Sequence, residues 1–174
     1  MKRLIIADPH GRNPLRLIDS QGIENIVCLG DIESPEIMEF LLNRGENNTL
    51  VVPGNHDFPY MVDCCKLIRG TSVDKDNKVD YLPCNEETYW KDVEKWANTP
   101  ILRNYAQKII GDYENDFRFQ KTFETKNGQV VCVHASIFDD EDLRDFEALG
   151  IEDLPYQLWK RMRNAIGQRN SAII

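Results

Sequence analysis

Ile26-Val27-Cys28-Leu29-Gly30-Asp31-Ile32-Glu33-Ser34-Pro35-Glu36-Ile37-Met38 holds, in order, an apolar run, an acidic turn, a helix cap and the start of an apolar helical stripe. The run from Glu24 to Leu29 reads as a buried strand. Ser34 is an N-cap and Pro35 an N1 proline, because a proline ring is preset for the first helical turn and gives up an N–H that has no partner there. Ile37, Met38, Phe40, Leu41 and Leu42 then form one apolar helix face, and Gly45 closes the helix. The same pattern lies upstream. Lys2 to Ala7 is a strand, Asn13-Pro14 repeats the cap, and Leu15, Leu17 and Ile18 start a helix that Gly22 ends. Downstream, Thr49 to Val52 is a third strand. The order β-α-β-α-β with short connections predicts an α/β fold with a parallel sheet and right-handed crossovers.

The rest of the chain reads differently. Phe58 to Arg69 is a helix, and Gly70 to Pro83 is polar and turn-rich. Asn85 caps a helix running to about Ala97, and Thr99-Pro100 starts another that Gly111 ends. Residues 58–116 therefore read as a mostly helical insertion over one end of the sheet. Its Tyr60, Tyr89, Trp90 and Trp96 either contact a substrate or pack the insertion's own small core. Phe117, Phe119 and Phe123, then Asn127-Gly128, then Val130 to Val133 make a β-hairpin. Asp139 to Gly167 holds two further helices.

The chain of 174 residues is the length of one domain, 1–174. Its Lys+Arg 21 against Asp+Glu 29 leave a net charge of −8, which argues against a general nucleic-acid binder. No apolar run approaches the roughly 18 residues of a membrane span. Leu4 to Ala7 is too short for a signal peptide before Asp8 interrupts it. Five cysteines without a Cys-x-x-Cys indicate neither a disulfide framework nor a zinc ribbon, and fit a reducing, cytoplasmic setting.

Three polar clusters fall directly after the three strands: Asp8-Pro9-His10, Gly30-Asp31 and Gly54-Asn55-His56-Asp57. His134 ends the hairpin. Open α/β sheets bind ligands outside the carboxyl ends of their strands. Asp8, His10, Asp31, Asn55 and His134 can therefore converge. Two carboxylates, two imidazoles and an amide oxygen, with no thiolate, suit Mn²⁺, Fe or Zn²⁺ better than Ca²⁺. A carboxylate at Asp31 can bridge two such ions. Two ions about 3.5–4 Å apart can hold a hydroxide and clamp a phosphoryl group during in-line attack.

Taken in order, Asp8-x-His10, Gly30-Asp31, Gly54-Asn55-His56-Asp57 and Val133-His134-Ala135 resemble the motifs of the calcineurin-like metallophosphoesterases. The resemblance covers residues 1–57 and 130–136 and is not evident across 58–129. It implies an α/β/β/α sandwich with two divalent metal ions (Mn, Fe or Zn). It also implies hydrolysis of a phosphate-ester substrate by attack of a metal-bound hydroxide. By resemblance, Asp8 and His10 bind the first ion, Asp31 bridges, and Asn55 and His134 bind the second. His56 would contact the phosphate and protonate the leaving oxygen.

The chain departs from the family pattern in two places. Protein-phosphatase-like members continue the second motif as Gly-Asp-x-x-Asp-Arg, whereas here it runs Gly30-Asp31-Ile32-Glu33-Ser34-Pro35. Ser34 stands where a carboxylate would orient His56, and the phosphate-binding arginine is absent. Glu33 or Asp57 is the substitute orienting group, and Arg12 the substitute phosphate contact beside Asn55 and His56. Asp57 thereby joins His56 among the catalytic candidates. The family's last motif, Gly-His-x-His, is missing, and all three histidines are already assigned. Asn170 to Ile174 is a small-then-apolar run of the kind that begins a strand. The chain is thus expected to be a fragment cut before that motif, with its C-terminal strands absent. The leading function is a dinuclear metal-dependent phosphatase or phosphodiesterase. The alternative is a catalytically inactive relative acting as a protein-binding scaffold. Retention of His56 and five ligands favours the enzyme.

Overall fold

β2 (Asn25–Cys28) is buried along its whole length. It is the middle strand of a three-stranded parallel sheet in the order β1-β2-β3. β1 spans Arg3–Ile6 and β3 spans Thr49–Val51. Ile5 lies beside Val27, and Val27 beside Leu50, so these side chains share one face. The computed structural model describes residues 3–14, 18, 22–71, 84–113, 120–125 and 128–134. Of the helix expected before Gly22, only Ile18 is described, in helical conformation. The segment 72–83, Phe117, Phe119, the two helices expected within Asp139–Gly167 and the strand expected at 170–174 lie outside the described residues.

The helices form where caps and apolar stripes place them. Helix α1 (Pro35–Asn43) begins on Ser34, whose extended backbone lets the hydroxyl accept from the Ile37 N–H at 3.4 Å. α2 (Phe58–Arg69) ends on Gly70 at φ 67, a left-handed cap that glycine adopts without a Cβ clash. α3 (Glu86–Asn98) begins on Asn85, which accepts from the Thr88 N–H at 3.0 Å. α4 (Pro100–Tyr113) runs through Gly111 rather than ending there. Gly111 does not take the positive φ that a glycine cap needs, so the helix continues past it.

Two apolar clusters flank the parallel sheet. On one side Ile26, Cys28 and Val51 pack with Ile37, Met38 and Leu41 of α1 and with residues of α2, α3 and α4. Tyr60, Tyr89 and Trp96 belong to this shared core and are 1%, 1% and 2% exposed, so they are packing residues and not solvent-facing contacts. Burying each such side chain contributes about 1.5–3 kcal/mol. On the other side Val27, Val52 and Cys132 pack with Leu50, Phe123 and Val130. Phe123, Val130 and Cys132 bring in the hairpin: β4 (Gln120–Thr125) pairs antiparallel with β5 (Gly128–Val133). Gly128 lies directly opposite Thr125, so it is the first paired residue after the turn and not part of its centre. The Arg3 guanidinium sits 3.9 Å above the Phe123 ring and ties β1 to the hairpin. The result is a layer of helices, a parallel sheet and a second sheet. Because β1, β2 and β3 are parallel, the segments that follow them emerge at one edge.

Candidate metal centre

The three post-strand loops are knitted together by backbone and carboxylate. The His10 N–H donates to the Asp31 carbonyl at 2.9 Å, and the Gly11 N–H to the Ile32 carbonyl at 3.1 Å. Asp57 joins the second and third loops. Its Oδ1 accepts from the N–H groups of Ile32 and Glu33 at 2.8 and 3.1 Å, and its Oδ2 from the Gly54 N–H at 3.0 Å. Burial pushes the Asp57 carboxyl up to about 6, against the opposing pull of those N–H donors.

Two glycines allow the loops to come this close. A Cβ on Gly54 would lie 2.2 Å from Asp31 Oδ1 and 2.3 Å from the Asp31 nitrogen. A Cβ on Gly30 would lie 2.5 Å from the Gly54 nitrogen and 2.7 Å from His134 Nδ1. The contacts also bend ordinary residues into the left-handed region: Asp8 at φ 47, His10 at 46, Asp31 at 54 and Glu33 at 56. Each costs roughly 1–2 kcal/mol relative to a relaxed backbone. Such strain concentrates at functional sites, where the surrounding structure holds it in place.

Asp31 is the hub. Its Oδ1 accepts from the His56 backbone N–H at 3.0 Å and lies 3.4 Å from His134 Nε2. Its Oδ2 lies 3.9 Å from His10 Nε2. Asp8 Oδ1 is 3.5 Å from His134 Nδ1, and Asn55 Oδ1 is 2.9 Å from His134 Nε2. The side chains of Asp31 and His134 are 5% and 4% exposed, while those of Asp8 and His10 are each 47% exposed. The site therefore has a dry floor and an open mouth.

Both candidate histidine ligands are held by Nδ1. His134 Nδ1 bonds the Leu29 carbonyl, and His10 Nδ1 bonds Glu33 Oε1 at 2.7 Å. A carbonyl only accepts, so a neutral His134 carries its proton on Nδ1 and presents the Nε2 lone pair. That lone pair faces the Asn55 and Asp31 oxygens, which are also acceptors. Three converging acceptors repel one another unless a proton or a cation lies among them. Oxygen and imidazole donors of this kind suit a divalent ion, and anchoring of a ligand histidine through its other nitrogen is the usual outer-shell arrangement. Asp8, Asp31 and His134 form one group able to hold an ion, and His10, Glu33 and His56 a second. The hydrogen bond to Glu33 holds the His10 imidazole above its ordinary range, with nearby carboxylates adding to it and burial opposing. The Cys28 thiol, pushed up to about 12 by burial, stays protonated beneath the site.

A comparison of the chain with family profiles matches the calcineurin-like phosphoesterase superfamily domain to residues 1–148. The chain belongs to that superfamily. The match runs through 58–129, where the short motifs show no resemblance. No curated protein and no solved structure matches the chain. The calcineurin-like phosphoesterases are metal-dependent hydrolases and typically bind divalent ions, and the donor groups around Asp31 are of the required kind. Among the described residues no helix is long and apolar enough to cross a membrane.

The structure brings Asp8, His10, Asp31, Asn55, His56 and His134 to one edge of the sheet. The carboxylate against the His56 ring is that of Glu33, with Oε1 at 2.7 Å from Nδ1, and not that of Asp57. Asp57 spends its oxygens on backbone N–H groups instead. The Arg12 side chain is exposed. Two features have no side-chain signature in the sequence. One is the Leu29 carbonyl that holds His134. The other is the contact of Glu33 with His10 as well as His56.

Proposed function

We propose that the chain is a dinuclear phosphoesterase whose two divalent ions would share Asp31 as a ligand. Asp8 and His10 would hold the first ion with it, and Asn55 and His134 the second. Bound there, the ions would polarise the phosphate and lower the pKa of water. The chain's own residues do the rest. His56 meets the phosphate and gives its proton to the leaving oxygen, and Asn55 and Arg12 contact the phosphoryl oxygens. Asp57 acts from below by fixing the loops that carry Asp31 and His56. The reading rests on one observation above others: Asp31 stands between His10 Nε2 at 3.9 Å and His134 Nε2 at 3.4 Å. A carboxylate with an imidazole nitrogen near each of its oxygens is what a bridging ligand needs.

The test is hydrolysis of p-nitrophenyl phosphate and bis-p-nitrophenyl phosphate in Mn²⁺, after EDTA treatment and re-addition of metal. Turnover should vanish with EDTA and return with Mn²⁺. His56→Ala should keep Mn²⁺ binding and lower kcat by about 10²–10⁴-fold. Mn²⁺ binding without turnover of either ester would favour the scaffold reading. Loss of metal from His56→Ala would make His56 a ligand.

A further inference from the structure

Glu33 is not among the residues proposed to hold the two ions, although it stands with His10 and His56 in one of the two groups able to hold one. Its side chain is 14% exposed and its backbone lies at φ 56, outside the range a glutamate normally takes. The Asp57 carboxylate holds its N–H at 3.1 Å, which fixes the strained turn. The single oxygen Oε1 lies 2.7 Å from His10 Nδ1 and 2.7 Å from His56 Nδ1. The His10 contact is a well-formed hydrogen bond. The His56 Nδ1 is buried, makes no aligned hydrogen bond, and has Glu33 Oε1 beside it. The two rings meet edge to face with centroids 5.2 Å apart. One carboxylate oxygen thus touches both a candidate ligand of the first ion and the candidate proton donor. Ser34, the residue at the family's orienting-carboxylate position, caps α1 instead.

We propose that Glu33 is a positioning residue shared by two histidines, its Oε1 holding the Nδ1 edge of both so that His10 offers Nε2 to the metal and His56 offers Nε2 to the leaving oxygen. The proposal rests on the phosphoesterase reading for the role of His56 but not for that of His10. In the reaction the phosphorus–oxygen bond of the ester breaks, and the leaving oxygen takes the Nε2 proton of His56. Water supplies the new oxygen on phosphorus and the proton that restores the ring. Glu33 gains and loses no proton. It is an acceptor for the Nδ1–H of both rings throughout. Fixing the tautomer through the distal nitrogen is how outer-shell groups tune a ligand histidine. Here one group performs that service for the ligand and for the acid together, which couples metal loading to proton delivery.

The test uses the full chain and the variants Glu33→Ala and Glu33→Gln, with folding checked by circular dichroism. In the metal-free protein at a pH where the rings are neutral, long-range ¹H–¹⁵N spectra should show His10 and His56 as Nδ1–H tautomers. In Glu33→Ala both should become mixtures. Mn²⁺ affinity by calorimetry should fall about 10–100-fold, the usual loss when an outer-shell partner is removed. Glu33→Gln keeps the shape and loses the charge, and should fall between the two. The kcat of Glu33→Ala should drop more for an alkyl phosphate, whose leaving group needs the proton, than for p-nitrophenyl phosphate, whose leaving group does not. In a His56→Ala background that leaving-group difference should disappear while the Mn²⁺ loss persists. Unchanged tautomers and unchanged Mn²⁺ affinity in Glu33→Ala would overturn the proposal, as would an equal kcat loss for both esters. If the unaltered chain hydrolyses neither ester, the phosphoesterase reading fails, and the tautomers and Mn²⁺ affinity decide whether Glu33 positions the two rings.

Discussion

Gly54 shows how little room the site leaves at the scale of single residues. An added Cβ would overlap the Asp31 carboxylate at 2.2 Å and the Asp31 nitrogen at 2.3 Å, and backbone cannot step aside as a side-chain tip can. Gly54→Ala should therefore destabilise the fold by about 1–3 kcal/mol, the usual range for overpacking, and displace Asp31. A lower urea midpoint together with weakened Mn²⁺ binding is the expected pair of results. Asp57 carries a pH signature. Its carboxyl is raised from 3.8 to about 6 in the folded chain by burial, so the native state holds the proton more tightly than the unfolded one. Metal-free stability contributed by this group should then fall as pH rises from about 4 to about 6, at up to about 1.4 kcal/mol per pH unit. Urea melts in EDTA across that window check the slope. Asp57→Asn should remove it, and the amide leaves a buried N–H group unpaired at a further cost of about 1–3 kcal/mol.

Secondary-structure elements were legible wherever local chemistry decides them. The caps at Ser34 and Asn85 and the prolines at 35 and 100 each act within a few residues, and the helices begin where they indicate. Gly111 misleads because a glycine ends a helix only by taking positive φ, and tertiary packing rather than composition decides whether it does. The convergence of the candidate residues was legible for the same reason. Strand ends in a parallel sheet share an edge, so Asp8, Asp31 and Asn55 had to meet there. The hydrogen-bond partners of those residues were not legible. A backbone carbonyl at Leu29 has no sequence signature, and the choice between Glu33 and Asp57 as the neighbour of His56 depends on which one the backbone N–H groups capture. Ser34 offers a test at this scale. Its hydroxyl caps α1 rather than taking the place of a carboxylate, so Ser34→Ala should cost about 1 kcal/mol. A lower melting temperature with unchanged Mn²⁺ affinity is expected. A loss of Mn²⁺ affinity would place Ser34 in the site instead.

For the whole molecule, the central sheet is anchored from both sides before it presents anything to solvent. The helix-side cluster holds Ile26 and Cys28, and the hairpin-side cluster holds Val27, so β2 and the Gly30-Asp31 turn that follows it are fixed from two directions. The hairpin also delivers His134 to the same edge, which makes the second sheet part of the site and not merely its cover. This anchoring is what can hold four ordinary residues at positive φ around one carboxylate. As proposed, this carboxylate would be shared by two ions. Crystals of the chain soaked in Mn²⁺ and measured near the manganese absorption edge test it most directly. Two anomalous peaks about 3.5–4 Å apart are expected, one on the His10 side of Asp31 and one on the His134 side, both missing in Asp31→Asn. Manganese bound elsewhere, or two peaks that persist in Asp31→Asn, would contradict it.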